Sequence, residues 1–133
     1  MAKQLSVFIE NKEGMLKRVL HVLKVNDVNI LSLSLADTTE YGLLRLIVNN
    51  PELAREKLIE SGFSSMIAEV VIVKVPHKAG SLQSILELLA EENVNIEYTY
   101  VLNTDGNDAS IVVKTNDIEK VYAIANKNNI EVL

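Results

Sequence analysis

The sequence predicts an α+β chain of two tandem βαββαβ units, with antiparallel sheets paired side by side and helices on one face. Three features carry that prediction: a glycine turn, a helical leucine stripe and a Val-Asn-Ile triplet, each present twice at one common spacing. Gly14 and Gly80 stand 66 positions apart, and the same offset pairs Leu16 with Leu82, Val19 with Ile85, Leu20 with Leu86 and Leu23 with Leu89. It also lays Val28-Asn29-Ile30 on Val94-Asn95-Ile96. After a slip of one residue, Leu46 falls on Ile111, Val48 on Val113 and Leu53 on Ile118. Any two helical segments can share leucines by chance. A shared glycine and a shared triplet at the same offset mark a duplication. The units are expected at 1–67 and 68–133.

Each copy follows one order. Leu5, Val7 and Ile9 alternate with Ser6, Phe8 and Glu10, which is a strand period. Val71, Val73 and Val75 repeat it, although Val70 and Ile72 make that strand apolar on both sides. After the glycine turn, Leu16, Val19, Leu20 and Leu23 recur at i, i+3, i+4 and i+7, a helical stripe turned to a core. Leu82, Ile85, Leu86 and Leu89 do the same. Second strands are expected at 29–36 and 95–102, followed by turns at 37–40 and 103–108. Asp105-Gly106 is a hairpin cue in the latter. Third strands follow near 43–48 and 109–113. Pro51 suits a first helical turn, with Asn50 as its cap. In copy two, Asn116-Asp117 precede a stripe of Ile118, Val121, Tyr122 and Ala125. Short last strands are expected at 64–67 and 130–133.

This split βαβ order is the ferredoxin-like one. A unit of about 65 residues has a thin core. The junction at 67–69 holds no Gly, Pro or Ser linker, so the copies are expected to sit tightly together. One detail conflicts. The second strand of copy one has Leu31, Leu33 and Leu35 as its apolar set, and copy two has Ile96, Tyr98 and Tyr100, on the opposite phase. A one-residue change of phase exchanges the two faces. A β-bulge in one copy is expected to reconcile them.

Composition narrows the function. Hydrophobic residues make up 48% and charged residues 23%, with four Tyr, two Phe and no Trp, so the core must be aliphatic. The absence of cysteine excludes disulfides, thiolate catalysis and Cys-based zinc sites. His21 and His77 alone make a dedicated transition-metal site improbable, and no cofactor is expected. The start MAKQLSVF lacks a basic segment followed by a long apolar run, so no signal peptide is expected. No apolar stretch approaches the roughly 20 residues needed to span a bilayer. A cytoplasmic protein is expected. A net charge of −5 with scattered lysines and arginines disfavours nucleic acid.

The Asn-Lys-Glu-Gly-Met-Leu run at 11–16, its copy His-Lys-Ala-Gly-Ser-Leu at 77–82, and the two Val-Asn-Ile triplets resemble the ACT domain, a ligand-sensing module of amino-acid metabolism. The resemblance covers essentially the whole chain and implies a stand-alone ACT pair. It implies an amino acid held between the first strand–helix turn of one domain and the second strand of its neighbour. Carried over, one site uses Asn11, Glu13, Gly14, Met15 and Leu16 with Asn95 opposite. The pseudo-symmetric site uses His77, Ala79, Gly80, Ser81 and Leu82 with Asn29 opposite.

Physical chemistry agrees with that geometry. A turn entering a helix leaves free N–H groups and a positive dipole end, which suit a carboxylate. Glycine lets backbone approach closely. An asparagine offers both acceptor and donors. There are departures from the family pattern. Glu13 and Ala79 stand where proline often precedes the glycine, and His77 replaces Asn11. Unequal sites are therefore expected, with only one occupied at physiological ligand levels.

Plainer roles compete at each position. The glycines serve turns, the asparagines start strands, His21 is a solvated helix residue, and Tyr98 and Tyr100 are packing aromatics. Glu91-Glu92 and Arg55-Glu56-Lys57 are solvated helix faces. No G-x-S-x-G, H-E-x-x-H, P-loop or G-x-G-x-x-G occurs, and no enzyme activity is expected. The leading expectation is a non-catalytic regulatory protein that binds a small amino acid and modulates a metabolic partner enzyme. A homodimer through an exposed sheet edge is plausible. The alternative is a ligand-independent regulatory subunit or interaction module of a biosynthetic enzyme. An acylphosphatase-like hydrolase on the same scaffold would want an Arg in the first turn, where Lys12 and Lys78 stand.

Overall fold

A computed structural model of the chain describes residues 2–38 and 40–133. Contacts divide it into two units, Lys3–Ala68 and Glu69–Leu133, the latter also taking Ala2 at the start of the first strand. The first comprises β1 (Ala2–Glu10), α1 (Met15–Val25), β2 (Ile30–Asp37), β3 (Tyr41–Val48), α2 (Pro51–Glu60) and the start of β4 (Ser64–Pro76), in strand order β2-β3-β1-β4. The second takes the rest of β4, then α3 (Ser81–Glu91), β5 (Ile96–Thr104), β6 (Asp108–Thr115), α4 (Ile118–Lys127) and β7 (Glu131–Val132). Its strand order is β7-β4-β6-β5. Both units are antiparallel βαββαβ, as expected. The expected turn at 37–40 includes Thr39, which lies outside the described residues.

Each core is mainly aliphatic, with Phe63 joining the first, and lies between sheet and helices. Leu5 pairs with Leu46 and Val7 with Leu44 across β1 and β3, all four fully buried. Val19 and Leu23 of α1 and Ala54 and Leu58 of α2 join them in one cluster. In the second unit Val71 pairs with Val113 and Val73 with Ile111, clustered with Ile85, Leu89, Val121 and Ile124. These registers correct the expected match of Leu46 with Ile111 and Val48 with Val113: Leu44 is equivalent to Ile111 and Leu46 to Val113, because the second copy is one residue longer, not shorter, between the two strands. Burying each such side chain stabilises the unit by roughly 1.5–3 kcal/mol. The two strands expected at 64–67 and 71–75 are one strand of 13 residues. No glycine or proline interrupts the chain between Ser64 and Val75, so nothing stops the strand before Pro76.

The helices begin and end on identifiable caps. Asn50 Oδ1 accepts the Leu53 N–H at 3.2 Å, and Asp117 Oδ1 accepts that of Lys120 at 3.1 Å. Every helix exits through a left-handed residue: Asp27, Gly62, Asn93 or Asn129. The next residue then bonds back into the helix, Val28 to Leu23, Phe63 to Leu58, Val94 to Leu89 and Ile130 to Ala125, at 2.8–2.9 Å. This is the Schellman arrangement with its apolar contact. It gives the repeated triplet a structural cause, because Val28 and Val94 are the buried apolar members.

The edge strands correct the expected single bulge. Both copies carry a register irregularity at the same place, between Ile30 and Ser32 and between Ile96 and Tyr98, and β5 has a second one between Val101 and Asn103. Leu33 and Leu35 pair with the core residues Leu46 and Leu44, on the helix-bearing side. Tyr98 and Tyr100 pair with Lys114 and Val112, and equivalent Ser32 and Ser34 pair with Ile47 and Arg45. The two copies therefore share one register, and their apolar sets point to opposite faces. An edge strand is only partly covered: Leu33 and Leu35 remain 46% exposed.

Replacing Asn50 or Asp117 by alanine is expected to cost about 1 kcal/mol each. Urea unfolding of the two variants measures this, with Asp117→Asn as the near-neutral control.

Candidate functional site

Four residues, 11–14, link β1 to α1, and residues 77–80 link β4 to α3. Both turns close on a glycine, Gly14 at φ +82° and Gly80 at φ +87°. The turns are pinned alike: the Asn11 N–H donates to the Glu40 carbonyl at 2.9 Å and that of His77 to the Asn107 carbonyl at 2.8 Å. Asn11 Nδ2 adds a bond to the Thr38 carbonyl at 3.3 Å, leaving its Oδ1 available. Neither helix has a side-chain N-cap. Among the described residues, the N–H groups of Gly14, Leu16 and Lys17 have no acceptor, nor do those of Gly80, Leu82 and Gln83. Such amides carry the positive end of the helix dipole.

The expected residues fall into separate places. In the first unit Glu13, Gly14 and Met15 line a groove of about 670 Å³, with Lys12, Arg18, His21 and Phe63. Met15 is buried in the core and Leu16 is half-buried against it, so Leu16 does not reach the groove. In the second unit His77, Ser81 and Leu82 line a cavity of about 180 Å³. The Ser81 hydroxyl oxygen is buried without a hydrogen-bond partner among the described residues. Ala79 and Gly80 are exposed and line neither cavity.

Asn29 and Asn95 hold their strands through the backbone. The Asn29 N–H donates to Asn49 Oδ1 at 2.9 Å, and its carbonyl accepts the Asn49 N–H at 3.1 Å. The Asn95 N–H donates to Asn116 Oδ1 at 3.3 Å, and its carbonyl accepts the Thr115 hydroxyl at 3.1 Å. Both residues are exposed. Tyr98 and Tyr100 stack with ring centroids 6.5 Å apart, as packing aromatics do.

Charges near the turns are modestly organised. The Lys12–Glu10 pair at 3.2 Å is exposed on both sides and contributes little. Lys74 lies 3.8 Å from Asp108 and 3.7 Å from Glu131, joining β4, β6 and β7. Backbone N–H groups of Asp108 and Asn107 hold the Asp105 carboxyl below its usual range. No group of three or more potential metal ligands occurs among the described residues, and no helix there is long and apolar enough to cross a membrane.

Sequence reasoning missed Arg18 and Phe63. The Arg18 guanidinium lies 5.3 Å from the Phe63 ring centroid and donates weakly to Met15 Sδ at 3.9 Å. His21 is exposed as expected, but it also lines the groove.

A family model described as an ACT domain pair matches residues 1–133. Among solved structures, protein BT0572 from Bacteroides thetaiotaomicron aligns at TM-score 0.94 and 34% identity, covering 99% of this chain and 91% of that one. The regulatory subunit of aspartate kinase from Thermus thermophilus aligns at TM-score 0.68 and 14% identity, covering 95% and 91%. Clostridium acetobutylicum aspartate kinase aligns at TM-score 0.61 and 20% identity, covering 94% of this chain and 32% of that one. None of the curated proteins matches the chain.

A Cβ at Gly14 or Gly80 would meet nothing within 4 Å. Alanine there is therefore expected to cost only the left-handed backbone penalty, about 1–2 kcal/mol. Denaturant midpoints of the two variants test this, and an unchanged midpoint would show that the turns relax freely.

Proposed function

The chain belongs to the ACT domain pair family, and from that premise we propose that it is a non-catalytic regulatory protein that binds a small amino acid at its strand-to-helix turns and modulates a metabolic enzyme. The observation that carries the reading is the set of unpaired amides at the start of α1 and again of α3. A ligand carboxylate takes these amides. Its ammonium goes to asparagine oxygen: among the described residues Asn11 engages its side-chain nitrogen and leaves Oδ1 available. In the proposal, Asn29 and Asn95 supply further polar contacts to the ligand. Glu13, Met15 and Leu16 on one side, and His77, Ala79, Ser81 and Leu82 on the other, shape the two sites. The buried, unpartnered Ser81 hydroxyl supports the second of them.

Regulation needs an affinity difference between two states of the protein or of its complex. A regulatory subunit of aspartate kinase shares the fold, and the proposal carries that kind of role to this chain, with an enzyme of amino-acid metabolism as partner. Unequal turns, Asn11 in one and His77 in the other, support occupancy of one site at physiological ligand levels. One observation favours the ligand-independent alternative. Helix-exit capping and strand tethering already account for the Val-Asn-Ile triplets, so those residues do not require a ligand.

A thermal-shift series with the twenty amino acids at millimolar concentration separates the readings. A ligand at about 100 times its Kd stabilises the native state by about 2.7 kcal/mol. Asn11→Ala and Asn95→Ala are each expected to weaken binding of the stabilising amino acid by about 1–3 kcal/mol, read by calorimetry. No shift with any amino acid leaves the ligand-independent regulatory reading, and two equal calorimetric sites per chain would overturn single occupancy.

A further inference from the structure

We propose that the α1 groove of the first unit binds a compact, multiply charged anion, a carboxylate- or phosphate-bearing metabolite, and that the second unit lacks this site. The groove of about 670 Å³ is bordered by the cations Lys12, Lys17 and Arg18 and by His21, against one carboxylate, Glu13. The chain as a whole carries a net charge of −5, so this is a local reversal of sign. Lys17, Arg18 and His21 make no ion pair among the described residues. Lys12 has only the exposed Glu10, at 3.2 Å. Arg18 is held against the Phe63 ring at 5.3 Å, and among the described residues its one side-chain hydrogen bond goes to the Met15 sulfur. Its fork is positioned without being spent on a carboxylate, the state in which guanidinium best takes an anion bidentately.

The duplication supplies an internal control. In the second unit the positions of Lys17, Arg18 and His21 are held by Gln83, Ser84 and Glu87, and that of Phe63 by Ile130. Gln83 Nε2 donates to Glu87 Oε1 at 3.0 Å, so there the same helical spacing satisfies itself locally. The corresponding groove, about 420 Å³, is lined by Lys78, Ser84 and Leu88 and contains no arginine or histidine. The helices are otherwise alike: each has 11 residues, a left-handed glycine before it, and equivalent buried residues at Val19 and Ile85 and at Leu23 and Leu89. The frame therefore does not require the cations. They sit on an exposed helix surface; the Phe63 ring seats Arg18, and neither packing nor capping accounts for Lys17 or His21.

The test is calorimetric titration of the full chain with two probes, inorganic pyrophosphate and citrate, at low ionic strength, with sodium chloride at matched ionic strength as control. Binding of one anion at one site per chain is expected, and the preferred probe tells a phosphorylated metabolite from a polycarboxylate. The triple variant Lys17→Gln, Arg18→Ser, His21→Glu copies the second unit's residues. It is expected to lose at least about tenfold in affinity, as when a charge-assisted contact is removed. Should the triple variant unfold, the single Arg18→Ser change decides by the same measure. No binding of either probe, binding no stronger than the salt control, or full affinity in the folded variant overturns the proposal.

Discussion

Each unit must convert a strand into a helix within four residues, and a left-handed residue at the fourth position is what closes that turn. The angles separate two classes of positive-φ residue. Gly14, Gly62, Gly80 and Gly106 stand at 82–93°, beyond the usual left-handed basin, where a Cβ is costly. Asp27, Asn93 and Asn129 stand at 56–60°, inside that basin, which asparagine and aspartate enter at small cost. Entry into α1 and α3 therefore takes glycine, whereas α2 and α4 start on Asn50 and Asp117; of the four exits, the one after α2 uses Gly62 and the others use Asp27, Asn93 and Asn129. The entry turn fixes where α1 and α3 begin relative to their strands. Val19 and Leu23, or Ile85 and Leu89, then fall on the sheet. The same turn leaves the N–H groups of Gly14, Leu16 and Lys17, and of Gly80, Leu82 and Gln83, without an acceptor among the described residues, so packing and these open amides come from one backbone constraint.

That coupling explains what was legible beforehand. Periodicity located the core because Leu5, Val7, Val19 and Leu23 each obey a single face rule and are all buried. The turns were legible because glycine has a specific backbone reason there. The edge strands were misleading for the opposite reason. Leu33 and Leu35 lie on the helix-bearing side yet are half-exposed, and Tyr98 and Tyr100 lie on the other face. On a strand covered on only part of its width, apolar alternation does not identify the core. The fusion of two expected strands into β4 was hidden by treating the repeat boundary as a break, although no breaking residue stood there.

The α1 groove was illegible for a different reason. Phe63 stands 45 positions after Arg18, and only the βαββαβ return path brings them together. Each alone has an ordinary explanation, a solvated arginine and a buried aromatic after a helix. Their juxtaposition is a tertiary fact, and so is the groove that His21 borders. Isolated residue types predict a site poorly when its members come from distant segments.

A duplicated chain offers its own comparison of what the frame requires. Where packing or capping decides, the copies agree: Val28 with Val94, Asn50 with Asp117, Gly14 with Gly80. Asn11 and His77 differ as side chains, yet their N–H groups make the same bond, so the backbone tolerates the exchange. Divergence therefore collects where the frame is indifferent, and there only surface chemistry distinguishes one residue from another. Lys17, Arg18 and His21 against Gln83, Ser84 and Glu87 form such a set on equivalent helices. A ligand on that surface borders the turn amides, because Glu13, Gly14 and Met15 line the same groove, and it could act on them directly or by favouring one of two states of α1. Linkage then makes the effect reciprocal, each ligand changing the other's affinity by the same factor.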